Sequence, residues 1–146
     1  MKTIYTLLFA LLPFGLFAQE VYHIRFTDDD TQYSVAVIMN DDNTGLVRIK
    51  YLDSECNGDM IEMTATMNET ITGYVINCAN PVFAGTTRKA KSYRPDTFYL
   101  TNTDNDGWIC KNIDSANTVS QCSFMEVTGI TNQDIFLREF GLEFTK

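Results

Sequence analysis

The stretch "YSVAVIMNDDNTGLVRIKY", residues 33 to 51, decides the fold class of the chain. Apolar residues occupy alternate positions on both sides of a polar centre: Tyr33, Val35, Val37 and Met39 before it, and Val47, Ile49 and Tyr51 after it. A period of two places successive side chains on opposite faces of a strand, so one face is apolar and the other is wet. The central Asn-Asp-Asp-Asn-Thr-Gly run is typical of a turn. The stretch therefore predicts a β-hairpin with one buried face.

The same alternation recurs along most of the chain, punctuated by turn-forming segments such as TDDDTQ, NET, TDNDG and DSANT. It predicts strands at about 20–27, 33–40, 44–52, 59–67, 70–78, 96–102, 106–112 and 118–128. Short strands joined mainly by hairpins indicate an all-β, antiparallel meander domain. A barrel and a two-layer sandwich both produce this pattern, and both remain open at this point.

The period changes in "GITNQDIFLREFG", residues 129 to 141. Thr131 is a candidate N-cap, and Asp134, three residues later, is placed to reach back to it as in a capping box. Gly141 is a candidate residue to end the helix. The pattern predicts a helix over about 132–140 that covers one end or side of the sheet.

Eight strands followed by a helix resemble the lipocalin plan in architecture, although the Gly-x-Trp signature of lipocalins near the first strand is absent. The single tryptophan is Trp108. The resemblance implies an alternative function, a carrier barrel for a small apolar ligand. Its candidate lining residues are Tyr22, Phe26, Met39, Met63 and Met67.

The first eighteen residues, MKTIYTLLFALLPFGLFA, have the composition of a secretory signal peptide. Lys2 precedes an apolar run from Ile4 to Phe17, and a cleavage point follows Ala18. The run is shorter than the roughly 20 residues of a membrane-spanning helix, so no transmembrane segment is expected. We predict a single β domain over 19–146, secreted to the extracellular space or the periplasm.

The charge balance excludes one class of partner. The chain has 11 Lys and Arg against 19 Asp and Glu, a formal net charge of −8. Nucleic-acid binding requires clustered basic residues against phosphate, so no nucleic acid is expected as a partner.

Four cysteines in an exported chain predict two disulfides, for which three pairings exist. Their spacing contains no C-x-x-C, so a zinc site is not predicted. Hairpin geometry favours Cys56 with Cys78 and Cys110 with Cys122.

One connection, residues 79 to 95, is unusually long for a compact domain. It contains Arg88, Lys89, Lys91 and Arg94, with Tyr93 as a stacking face beside them. Local positive charge in an acidic chain is suited to an anionic glycan, a lipid head group or a protein partner. The alternative is a solvated loop without a partner.

The segment "TNTDNDGW", residues 101 to 108, begins like a calcium loop, with Asn102, Asp104 and Asp106 at alternate positions. The closing Glu of an EF-hand is replaced by Ile113, and the flanks look like strands, so an EF-hand is excluded. The favoured interpretation is a hairpin turn with Gly107 at positive φ. A looser calcium turn is the alternative, and no other cofactor is expected.

Catalytic motifs are missing from the sequence: the single His23 has no Ser or Cys motif around it. We therefore predict no catalytic residues and no enzyme. The favoured function is a small, disulfide-bonded binding module that makes contact through residues 79–95. A carrier barrel is the first alternative and a secreted enzyme the second.

Overall fold

The computed structural model describes residues 19–52 and 59–143. In these residues the elements are β1 (Glu20–Asp28), β2 (Thr31–Met39), β3 (Thr44–Tyr51), β4 (Ile61–Glu69), β5 (Gly73–Phe83), β6 (Asp96–Thr103), β7 (Gly107–Asp114), β8 (Val119–Glu126) and α1 (Ile130–Arg138). Each strand pairs antiparallel with the next, and β8 returns to β1, which closes a barrel. The predicted all-β meander is confirmed, and closure selects the barrel over the sandwich.

The predicted signal peptide, residues 1–18, and the last residues, 144–146, lie outside the described residues. Within the described part, no helix is long and apolar enough to cross a membrane.

Inward-facing apolar residues of the strands form one continuous core inside the barrel. Ile24, Val37, Val47 and Phe98 are each 0% exposed. The period-two alternation produces this core because residues directly opposite on neighbouring strands, such as Val37 and Val47, face the same side. Burial of this face is the main favourable term holding the barrel together.

The barrel has two distinct ends. The end that we call the rim end carries the turns at 40–43, 70–72 and 104–106. The opposite end, which we call the loop end, carries residues 84–95 together with the β1–β2 and β7–β8 turns. Because antiparallel strands alternate in direction, the two candidate stretches, 88–94 and 102–106, lie at opposite ends.

The long connection is shorter than predicted because β5 continues to Phe83. The pairing of β4 with β5 shifts register between Glu62 and Thr64, which marks a β-bulge. Past Asn77, β5 has no further partner in β6, so Pro81 sits where its missing N–H removes no ladder bond. The loop proper is therefore 84–95.

The helix begins two residues earlier than predicted, and its predicted cap is wrong. Gly129, at φ 86, is the N-cap, and no side chain in the described part of the chain caps the helix. Thr131 lies inside the first turn, while Asp134 pairs with Arg138 at 2.8 Å, one helical turn away. The predicted stop is confirmed, since Gly141 has φ 65, the left-handed conformation common after helices.

The helix packs on the outer wall of the barrel. Leu137 and Phe140 are buried against Val21 of β1 and Ala36 of β2. Arg48 of β3 donates hydrogen bonds of 2.9 and 3.1 Å to the carbonyls of Phe140 and Gly141. The helix thus covers one side of the sheet and leaves the rim end uncovered.

Candidate functional site

The basic loop is held at the loop end by backbone hydrogen bonds and by a buried alanine. Ala90 is 0% exposed, and its N–H donates to the Pro81 carbonyl at 2.9 Å. The Phe83 N–H donates to the Arg88 carbonyl at 2.9 Å. Lys89 forms an isolated antiparallel bridge with Val82. The loop is therefore a fixed platform on the barrel.

Tyr93 points into the barrel, away from the basic side chains with which the sequence pattern grouped it. Its ring packs against the core, and its hydroxyl donates a 2.7 Å hydrogen bond to Asp96 Oδ2. Asn112 Nδ2 donates to the other carboxylate oxygen at 2.7 Å. Asp96 and Asn112 are 3% and 2% exposed, and Asn112 Oδ1 is buried with no hydrogen-bond partner among residues 19–52 and 59–143. These three residues form a polar cluster beneath the loop.

Burial raises the pKa of Asp96 to about 6, although the hydrogen bonds from Tyr93 and Asn112 oppose the shift. Burial also raises the pKa of Tyr93, and the neighbouring Asp96 carboxylate adds to the effect. The tyrosine consequently stays protonated and remains a donor to Asp96.

The basic side chains of the loop face solvent. The Arg88 guanidinium lies 4.0 Å from the centre of the Phe83 ring, a cation–π contact. Arg94 pairs with Asp114 at 3.8 Å. Lys89 and Lys91 are exposed, and neither forms an ion pair with another described residue. Two lysines are thus available to a partner, and the two arginines are partly positioned.

A cleft of about 630 Å³ opens at the rim end between the β4–β5 and β6–β7 turns. Tyr74 and Trp108 form one wall, with ring centroids 6.0 Å apart and planes at 21°. Glu69 and Asp104 also line the cleft. Trp108 is 44% exposed, so its indole is accessible from this cleft.

The aromatic wall continues around the rim. Phe124 lies 6.2 Å from Trp108 and 5.1 Å from Tyr22 between ring centroids. The Tyr22 hydroxyl donates a hydrogen bond to the Glu20 carboxylate. Burial, followed by this carboxylate, raises the pKa of Tyr22. A row of four aromatic rings therefore runs along one half of the rim.

The candidate calcium residues lie at the β6–β7 turn of the rim end. Asn102 is the penultimate residue of β6, while Asp104 and Asp106 are exposed in the turn. Thr103 Oγ1 accepts the Asp106 N–H at 3.1 Å, and Gly107 has φ 67, as expected for a hairpin turn. No group of three or more His, Cys, Asp or Glu side chains in the described ranges is arranged to hold a metal ion. Calcium binding here stays the alternative to a plain hairpin turn.

Cys110 and Cys122 stand directly opposite each other on β7 and β8, at the register that their predicted pairing requires. Both are thiols in this structure. A contact between the two side chains, followed by burial, raises the pKa of Cys110. Cys78 is buried in the barrel, and its predicted partner Cys56 lies outside the described residues. Both disulfides stay predictions.

His23 lies on the outer wall beneath α1. Its Nε2 is 2.9 Å from Ser34 Oγ and accepts from Arg25 Nε at 3.3 Å. Its ring packs on Phe136, with centroids 4.8 Å apart. Burial, followed by the positive charge of Arg25, lowers the pKa of His23. Glu139 raises this pKa, and Lys50 lowers it. This arrangement suits a neutral, structural histidine at the helix interface.

The residues predicted to line a carrier cavity divide into two groups. Phe26, Met39 and Met63 belong to the packed core and are 6%, 1% and 1% exposed. Tyr22 and Met67 are partly buried nearer the rim.

Sequence reasoning missed Asp96 and the cleft residues Glu69 and Tyr74. The signal for Asp96 was its place in the alternation with Phe98 and Leu100, which puts a carboxylate on the inward face. The cleft left no comparable signal, because its walls come from different strands.

Comparisons of the chain with protein-family models, curated proteins and solved structures found no match.

Proposed function

We propose that this protein is a secreted, non-catalytic binding module whose loop end holds an anionic partner through Arg88, Lys89, Lys91 and Arg94. The partner chemistry is a cluster of anionic oxygens, as in an acidic glycan, a lipid head group or an acidic protein surface. Guanidinium and ammonium groups bind such oxygens through charge-assisted hydrogen bonds.

One observation carries this proposal: the loop is anchored inward at Ala90 and Tyr93, while the four basic side chains between and beside these anchors are exposed. A fixed platform loses less conformational entropy on binding than a mobile loop does. The cation–π contact of Arg88 with Phe83 orients one of the charges further.

The two alternatives receive less support. The inward-facing side chains of Met39 and Met63 pack in the barrel core, which argues against an apolar ligand between them. A catalytic role finds no basis in His23, because its ring is covered by Phe136 of α1.

The test compares two double variants of equal net charge. Lys89→Ser with Lys91→Ser removes the two loop charges that form no ion pair with a described residue, and Lys111→Ser with Arg138→Ser removes two charges from elsewhere on the surface. Binding is measured at several salt concentrations to heparin, to phosphatidylserine vesicles and to polyglutamate, which separates the three partner classes. We expect the loop variant alone to lose most of its affinity for one of these probes, and added salt to weaken wild-type binding.

Equal losses in the loop variant and the surface variant would show that general charge, and not the loop, drives binding. Absence of binding to all three probes would contradict the proposal.

A further inference from the structure

The rim end differs from the loop end in its charge. Carboxylates occupy its turns and strand ends: Glu20, Asp41, Asp42, Glu69, Asp104, Asp106 and Glu126. No Lys or Arg stands on the described residues of these segments. Since the four basic residues of the loop lie at the other end, the field at the rim is negative without local compensation.

The rim cleft combines this negative field with an exposed aromatic surface. Tyr74 is fixed from inside, because it packs against the barrel core, and Trp108 stacks on it with 44% of its surface exposed. Gly73 permits this arrangement: a Cβ at this position would lie 1.9 Å from the Leu100 carbonyl oxygen and 3.1 Å from Trp108 Cζ3. The wall is therefore preorganised by the fold.

The geometry points to a binding site for a small organic cation in the rim cleft, with Tyr74 and Trp108 as the aromatic wall and Glu69 and Asp104 as the counter-charges. A quaternary ammonium or alkylammonium head group is the ligand class that this combination recognises. The volume of about 630 Å³ lies within the range of small-molecule sites.

Three physical arguments select a cation over other ligands. The face of an indole or phenol ring carries negative electrostatic potential, which attracts an ammonium group. The two carboxylates, at the end of β4 and in the β6–β7 turn, add Coulomb attraction and repel anions. An apolar ligand would gain nothing from those carboxylates and would bury some of their polar surface without compensation.

This inference is independent of the proposed function at the loop end, which lies at the other end of the barrel. The ligand and the anionic partner therefore bind separate surfaces. Failure of one proposal leaves the other unaffected.

Trp108 is the only tryptophan of the chain, so its fluorescence reports directly on the site. The protein is titrated with choline and with 3,3-dimethylbutan-1-ol, which has the same shape but no charge. Methyl glucoside is the third probe, because sugars also stack on indole rings. The Trp108 indole N–H signal in an NMR spectrum provides a second readout. We expect choline to bind saturably and the neutral alcohol to bind with an affinity at least about tenfold lower.

Matched variants locate the interaction. Glu69→Gln removes a carboxylate of the cleft, whereas Asp41→Asn removes a rim carboxylate that does not line it. Both residues are exposed, so the fold tolerates either change. We expect choline affinity to fall about three- to tenfold in Glu69→Gln and by less than twofold in Asp41→Asn.

Each contrary outcome overturns the inference. Equal affinity for choline and the neutral alcohol would identify an apolar site. Preference for methyl glucoside would identify a carbohydrate site, and the absence of any saturable change would show that the cleft binds none of these ligands.

Discussion

The hydroxyl of Tyr93 donates a 2.7 Å hydrogen bond to Asp96 Oδ2 inside the loop end of the barrel. The tyrosine belongs to the basic loop and the aspartate begins β6, so this bond connects the exposed cations to the buried core. The loop end is thereby sensitive to the ionisation of a single carboxyl group.

Asp96→Asn is expected to change the pH dependence of stability. The carboxyl group ionises near 3.8 in the unfolded chain and near 6 in the folded protein. Between these values the folded state binds more protons, so the contribution of Asp96 to the free energy of unfolding is full below about pH 3.8 and is lost as pH rises through about 6. At about 1.4 kcal/mol per pKa unit, the loss is on the order of 3 kcal/mol.

Urea denaturation of wild type and variant at pH 4 and pH 7.5 measures this effect. As the pH rises from 4 to 7.5, Asp96→Asn should gain stability relative to wild type. The exposed control Asp41→Asn should follow wild type. Parallel curves for wild type and Asp96→Asn would contradict the assigned shift.

Tyr93→Phe is expected to destabilise the protein and to loosen the loop. The variant leaves Asp96 Oδ2 buried without the tyrosine donor, which costs about 1–3 kcal/mol. Hydrogen exchange should accelerate at the Ala90 amide, whose bond to Pro81 holds the loop. Tyr99→Phe removes the same hydroxyl from a residue that is 40% exposed, and it should leave both stability and exchange unchanged. Unaltered exchange at Ala90 in Tyr93→Phe would show that the loop is held without this bond.

His23 gives stability an opposite dependence on pH. Its folded pKa is lowered from 6.5, so the folded state binds fewer protons than the unfolded state in the window just below that value. Its contribution is full above about pH 6.5 and is lost as pH falls through the folded pKa. Relative to wild type, His23→Gln should therefore lose less stability on acidification from pH 7.5 to pH 5. Identical losses in the two proteins, measured by urea denaturation, would contradict this role.

Cys110 and Cys122 should form a disulfide in an oxidising environment. Facing residues of antiparallel strands have Cα atoms about 4.5–5.5 Å apart, within the range that a disulfide spans. Peptide mapping without reductant should yield one cross-linked peptide pair containing both residues. The bond should add about 2–4 kcal/mol, measured against Cys110→Ala with Cys122→Ala. Full alkylation of both thiols in the unreduced, denatured protein would exclude the bond.

Residues 33–51 and Gly141 illustrate what local sequence encodes well. Alternation and turn composition depend on neighbouring residues, so β2, β3 and their turn appear close to the predicted positions. The predicted cap at Thr131 was wrong because Gly129, two residues earlier, supplies the change of chain direction through its backbone conformation alone. The local sequence allowed a side-chain cap, but α1 as packed on the barrel begins without one.

The sequence by itself determined the antiparallel β class, the strand positions, the final helix and the cluster of basic residues, because each depends on spacing along a short segment. Only the tertiary structure decided the closed barrel, the inward turn of Tyr93 onto Asp96 and the meeting of Tyr74 with Trp108. These features depend on which distant strands become neighbours. They are stabilised by contacts between residues far apart in the chain. The hydrophobic alternation within one strand does not indicate which strand will pair with it.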